Sequence, residues 1–112
     1  MSENKTSARS NNSYAQALFE LASENYVLLE IEVQAVAILK LIKDSPEFSD
    51  LIKNPTTKNS ELIKVMESIA DQNNFNGLFK RFINFLIQKK KFFYVEKILN
   101  LSLIHISEPT RH

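Results

Sequence analysis

The side chains that most often carry catalysis are nearly absent from this chain. It has no cysteine and two histidines, His105 and His112, both within its last eight residues. Upstream of them a nucleophile would have to be Ser or Lys with a carboxylate base, and no spacing places such a pair together. The nearest carboxylate pairs, Glu30 with Glu32 and Asp44 with Glu47, lack a histidine partner and read as solvated helix surface. Thiolate metal sites and disulfides are excluded, which fits a reducing, intracellular location. A single glycine, where average usage gives about eight, argues against a glycine-rich phosphate loop. No catalytic, cofactor-binding or metal-ligating residue is assigned.

Binding chemistry is better represented. Lys89-Lys90-Lys91 followed by Phe92-Phe93-Tyr94 has the basic-plus-aromatic pattern of a nucleic-acid contact. Three cations at a helix end, offsetting its dipole, explain the same residues without a ligand. The net charge of +1, from 14 basic and 13 acidic residues, favours that plainer explanation. A second cluster, Phe75, Phe79, Phe82, Phe85 and Leu86, exceeds what a narrow apolar stripe needs. It is either core or one side of a groove for a partner helix docking at i, i+3, i+4 and i+7 spacing, and periodicity leaves both open.

These residues need helices to position them, and the chain supplies helical patterns almost throughout. Its 112 residues suffice for one small domain with one core. Residues 1–11 read as a disordered polar arm without an apolar signal-peptide core, and no run approaches the roughly 18 apolar residues of a membrane span. Tyr14, Ala17, Leu18, Leu21 and Ala22 then form one stripe of a first helix that Asn12 or Ser13 can cap. Leu28, Ile31, Ala35, Ile38, Leu39 and Ile42 mark a second helix ending near Asp44. Ser45-Pro46-Glu47 opens a short third helix that Asn54-Pro55 stops. Asn59 or Ser60 caps a fourth, which Asp71-Gln72-Asn73-Asn74 breaks. Phe75, Leu78, Phe79, Phe82, Phe85 and Leu86 make a fifth, and Phe92, Val95, Ile98 and Leu99 a sixth. The expected fold is all-α, a compact six-helix bundle over residues 12–100.

At Ser13-Tyr14-Ala15-Gln16-Ala17-Leu18-Phe19-Glu20-Leu21-Ala22 the chain resembles the delta subunit family of the F-type ATP synthase, which includes the mitochondrial oligomycin-sensitivity-conferring protein. The stretch from Ser45 to Pro55 is similar to the family's short third helix with its terminating Asn-Pro, and Phe82 to Leu99 to its fifth and sixth helices. Where the family commonly has Gly-Arg between the last two, this chain has Lys90-Lys91. The resemblance implies a non-catalytic domain on the head of the proton-translocating enzyme, holding the amphipathic N-terminal helix of an alpha subunit between its first and fifth helices. Carried across, Tyr14, Ala17, Leu18 and Leu21 form one wall of that groove, and Phe82, Phe85 and Leu86 the other. It also implies a stator role, with a C-terminal domain, absent from this sequence, binding the peripheral-stalk b subunits. Cytoplasmic placement at the bacterial inner membrane follows, with no membrane insertion and no nucleic acid. The alternative from another class is a small helical RNA-binding domain using Lys89 to Lys91.

The last twelve residues depart from this pattern. Leu101 to Arg111 is similar to the conceptual translation of a transposase adapter used in short-read DNA libraries. Residues 101–112 are therefore expected to be a non-native tail, which removes His105, Ser102, Ser107 and Glu108 from the functional inventory. Any structure there is expected to be a placement of Leu and Ile against available apolar surface.

Overall fold

In a computed structural model of the chain, the backbone is described for residues 2–107 and side chains for residues 10–106. The helices are α1 (Ser2–Glu24), α2 (Leu28–Asp44), α3 (Pro46–Lys53), α4 (Asn59–Asn73), α5 (Gly77–Gln88) and α6 (Val95–Ser107). A 3-10 turn, Phe92–Tyr94, leads into α6, and the described residues contain no strand. The all-α six-helix bundle anticipated from the sequence is the fold.

Local chemistry accounts for most of the boundaries. Ser45 is extended, its hydroxyl accepts the Phe48 N–H at 3.2 Å, and Pro46 occupies the first turn of α3. At the other end Asn54 is extended before Pro55, and its Oδ1 accepts the Thr56 N–H at 2.9 Å. α4 starts at Asn59, yet neither Asn59 nor Ser60 caps it. The residue before it is an extended Lys58 with no capping side-chain bond.

Three helices end on a left-handed residue that is not glycine: Tyr26 at φ 58°, Asn74 at φ 54° and Lys90 at φ 62°. Each termination is closed by a backbone bond reaching back six residues inclusive. Val27 N–H donates to Ala22 C=O at 2.9 Å, Phe75 N–H to Ala70 C=O at 3.0 Å, and Lys91 N–H to Leu86 C=O at 2.8 Å. These are Schellman closures, which glycine normally serves because an L side chain resists positive φ.

α1 differs most from expectation. Its helix begins at Ser2, not at Asn12 or Ser13, so the stretch read as a disordered arm is helical from its second residue. No Gly or Pro interrupts residues 2–24. Asn11, one turn before Ala15, is buried against the bundle.

One apolar core runs through all six helices. α1 contributes Ala15, Leu18 and Ala22; α2 contributes Ile31, Ala35 and Ile38; α5 contributes Phe79, Ile83 and Leu86; α6 contributes Val95, Ile98 and Leu99. α1 and α2 both pack on α6. α6 continues through the anomalous tail as far as Ser107, because Ile98, Ser102 and Ile106 repeat at four-residue spacing and all three are buried. Ser102 is small enough to sit under α1, with its hydroxyl donating to Ile98 C=O at 2.9 Å and lying 3.4 Å from Ala15 C=O. His105 stacks obliquely on Phe19, ring centroids 5.7 Å apart. Glu108 and the rest of the tail lie outside the described residues.

Candidate functional site

α1 and α5 are brought together by their ends. The α1–α2 turn leaves Glu30 and Gln34 of α2 beside Asn76, which precedes α5. Gln34 Oε1 accepts the Asn76 N–H at 3.0 Å, and Glu30 Oε1 accepts the Asn76 amide at 2.7 Å. Asn76 in turn caps α5, its Oδ1 accepting the Leu78 N–H at 2.8 Å. The start of α5 is thereby tied to α2 near the end of α1. Farther along, Tyr14 of α1 meets Phe85 of α5 edge to face, centroids 5.8 Å apart at 64°. Moving back along α1 therefore moves forward along α5, and the two helices run antiparallel.

Each helix presents a stripe to this seam. Successive residues are turned by about 100°, so Tyr14, Ala17, Leu21 and Glu24 share one side of α1, while Leu78, Phe85 and Lys89 share one side of α5. Ala17 is exposed and Tyr14 half-buried; Leu21 and Phe85 keep 43% and 44% of their surface. Lys89 Nζ stands 5.6 Å from the Phe85 ring centroid, a cation–π contact.

Of the seven residues assigned to the groove walls, four are accessible at the seam: Tyr14, Ala17, Leu21 and Phe85. The other three belong to the core. Leu18 and Leu86 are fully buried and Phe82 nearly so, because their positions on the helical wheel fall inside the arc that faces the bundle. They form the floor beneath the seam rather than its walls. Two clefts lie away from the seam. One of about 430 Å³ between α4 and α5 has Met66, Ala70, Phe75 and Ile83 below Glu67, Asp71, Lys80 and Arg81. Another of about 220 Å³ lies around Asn54, Leu62, Lys90 and Phe92.

The lysine run does not form a continuous strip. Lys89 lies over Phe85 and Lys91 over Tyr94, each 5.6 Å from its ring centroid, while Lys90 Nζ donates to Asn59 Oδ1 at 3.4 Å. The left-handed turn at Lys90 sends the three side chains to three different partners. The sequence pattern put Leu78 on the fifth helix but not at the seam, and it gave no sign of Glu24 there or of the Asn76 clamp. Asn before Gly77 carried a capping signal, but nothing marked Gln34 as its distant partner. A second exposed apolar stripe on α2, Leu29, Val33 and Val36, was likewise hidden behind that helix's stronger inward face.

Six helices round one core, with an accessible apolar seam along two of them, define an all-α domain. A family model described as "ATP synthase delta (OSCP) subunit" matches residues 11–106, and the chain belongs to that family. It is 44% identical over 100 residues to the ATP synthase subunit delta of Pelagibacter ubique, covering 88% of this chain and 54% of that protein. It is 32% identical over 86 residues to the chloroplastic ATP synthase delta chain of Chlamydomonas reinhardtii, covering 77% of this chain and 39% of that one. The subunit delta of Xanthobacter autotrophicus is 28% identical over 86 residues, 43% of its length. The chain thus spans about half, or less, of the relatives it matches. No helix among the described residues is long and apolar enough to cross a membrane.

Proposed function

We propose that this chain is the head-binding domain of an ATP synthase delta subunit, a non-catalytic stator element whose α1–α5 seam holds the amphipathic N-terminal helix of an alpha subunit. The observation that carries the reading is the seam itself: Tyr14, Ala17, Leu21 and Phe85 stay accessible above a floor that is already closed. An apolar helix face laid there would gain contact with Leu21 and Phe85, and the methyl of Ala17 lets its backbone approach. In the full-length protein the other half would engage the b subunits of the peripheral stalk, so the complete subunit resists rotor torque at the cytoplasmic face of the inner membrane. The observed dispersal of Lys89, Lys90 and Lys91 gives an RNA-binding reading no continuous basic surface.

Calorimetric titration with an alpha-subunit N-terminal peptide tests this. Binding is expected, with Phe85→Ala weakening it by about 2 kcal/mol, roughly 30-fold, as for a central aromatic contact. Ala17→Asp is expected to weaken it further by placing a charge under the partner backbone. A folded domain that takes up no peptide at micromolar concentration refutes the reading. Residues 101–111 belong to the same proposal as sequence carried over from a library adapter. Finding them encoded in genomic DNA read without tagmentation refutes that part.

A further inference from the structure

Asn76 and Gly77 stand together at the start of α5, and Gly77 is the one glycine in the chain. Asparagine is a thermolabile residue, most so before glycine, which has no side chain to block approach to its backbone nitrogen. Gly77 is exposed, and nothing lies within 4 Å of the position a Cβ would take on it. As the first residue of α5 it carries an N–H that has no acceptor inside the helix. Its nitrogen is therefore not held in the helical ladder.

What restrains the pair is Asn76. Its Oδ1 accepts the Leu78 N–H at 2.8 Å, its Nδ2 donates to Glu30 Oε1 at 2.7 Å, and its own N–H donates to Gln34 Oε1 at 3.0 Å. The first two bonds hold the carboxamide by both its polar atoms, and the third holds the backbone behind it. Closing a ring requires the carboxamide carbon to turn onto Gly77 N, which breaks the cap and the Glu30 contact. Neither of those bonds is fully buried, so they can open locally while the core face of α5 stays packed.

We propose that Asn76-Gly77 is a site of spontaneous deamidation whose rate is set by the Asn76 clamp. Gly77 N attacks Asn76 Cγ, the Cγ–Nδ2 bond breaks, and ammonia leaves with the proton from Gly77 N, which gives a cyclic imide. Water then opens the ring, with no oxidant or reductant involved. Attack at Cγ leaves an aspartyl residue; attack at the Asn76 backbone carbonyl leaves an isoaspartyl residue, with the main chain running through Cβ. Both products lose the Nδ2 donor and gain a negative charge close to Glu30. The aspartyl form keeps an acceptor for Leu78 N–H and suits a helix N-terminus, but meets Glu30 as a like charge. The isoaspartyl form adds a carbon to the main chain ahead of α5 and forfeits the cap as well. Either way the modification loosens the tie between α2 and the start of α5.

The test incubates the folded chain, and the same chain in urea, in neutral buffer. Peptide mapping by mass spectrometry follows Asn76, and an isoaspartyl methyltransferase counts the isoaspartyl product. In urea Asn76 is expected to react before any other asparagine. In the folded chain it should still react, roughly 5- to 30-fold more slowly, the factor that a helix cap is worth. Glu30→Ala should speed the folded-state reaction roughly 2- to 10-fold, as for loss of one net hydrogen bond, and change nothing in urea. Gly77→Ala meets no atom and needs no positive φ, so it should keep the fold and suppress the product in both states. Equal rates in the folded and urea-treated chain, or a folded rate unmoved by Glu30→Ala, overturn control by the clamp. No product at Asn76 from the folded chain, or another described asparagine reacting first in it, overturns the site. The modified fraction, separated by its added charge, should unfold at lower urea than the unmodified one, and an unchanged midpoint overturns the loosening.

Discussion

Lys90 occupies a left-handed backbone position of the kind that glycine usually fills. With φ at 62° and its neighbour's N–H closing back to Leu86 C=O at 2.8 Å, it occupies the left-handed position of a helix termination. Placing an L side chain there costs about 1–2 kcal/mol. Glycine removes that strain but loses more freedom on folding, which returns about 0.5–1 kcal/mol. The hydrogen bond from Lys90 Nζ to Asn59 is long, at 3.4 Å, and exposed, so its loss contributes little. Lys90→Gly is therefore expected to stabilise the domain by about 0.5–1 kcal/mol, a rise in Tm of about 2–6 °C for a domain of this size. Lys91→Gly is the control: Lys91 has φ −109°, so glycine relieves nothing there and forfeits the contact with Tyr94. Thermal and urea unfolding of both variants beside the unmodified chain decides the matter. If Lys90→Gly is neutral, or destabilises as much as Lys91→Gly, the left-handed strain argued here is not what the position costs.

The Asn76 clamp predicts two distinguishable losses. Asn76→Ala removes the α5 cap and is expected to cost about 1–2 kcal/mol in urea unfolding, whereas Gln34→Ala leaves the Asn76 N–H without its acceptor and should cost about 1–3 kcal/mol. Either variant unfolding at the unmodified midpoint would remove the clamp as a stabilising element. On α2, Val33 is 67% exposed, so Val33→Lys is expected to change stability by no more than about 0.5 kcal/mol. A larger loss would mean that this stripe is covered in the folded protein.

What was legible in the sequence follows from which signals are local. Ser45-Pro46, Asn54-Pro55 and the apolar repeats of α2 and α5 act within a turn or two of chain, and each element appears where those residues put it, except that Phe75, expected on the fifth helix, lies in the turn before α5, which Asn76 caps. The left-handed ends at Tyr26 and Lys90 were not legible, because neither residue type advertises positive φ and the closing bonds are imposed by the next helix having to return to the core. The extension of α1 to Ser2 was hidden for a similar reason. A polar run without apolar period gives no inward face, but without Gly or Pro it also gives nothing to stop a helix already anchored downstream.

The site shows the same division more sharply. On α5 the buried residues Phe79, Phe82, Ile83, Leu86 and Ile87 occupy an arc of about 140° at 100° per residue, and Phe85 falls about 60° beyond its edge. An apolar run this dense has no polar residue to mark where core ends and surface begins, so Phe82, Phe85 and Leu86 looked equivalent as groove walls. Burial separates them, and with Leu18 it leaves a narrower seam than the resemblance implied. The tail obeys the same rule from the other direction. Ile98, Ser102 and Ile106 continue the inward stripe of α6 whatever the origin of the last two, because a helix needs only an apolar or small residue every fourth position to stay against α1. A buried Ser102 is therefore evidence about packing at Ala15, not about the ancestry of the segment that supplies it.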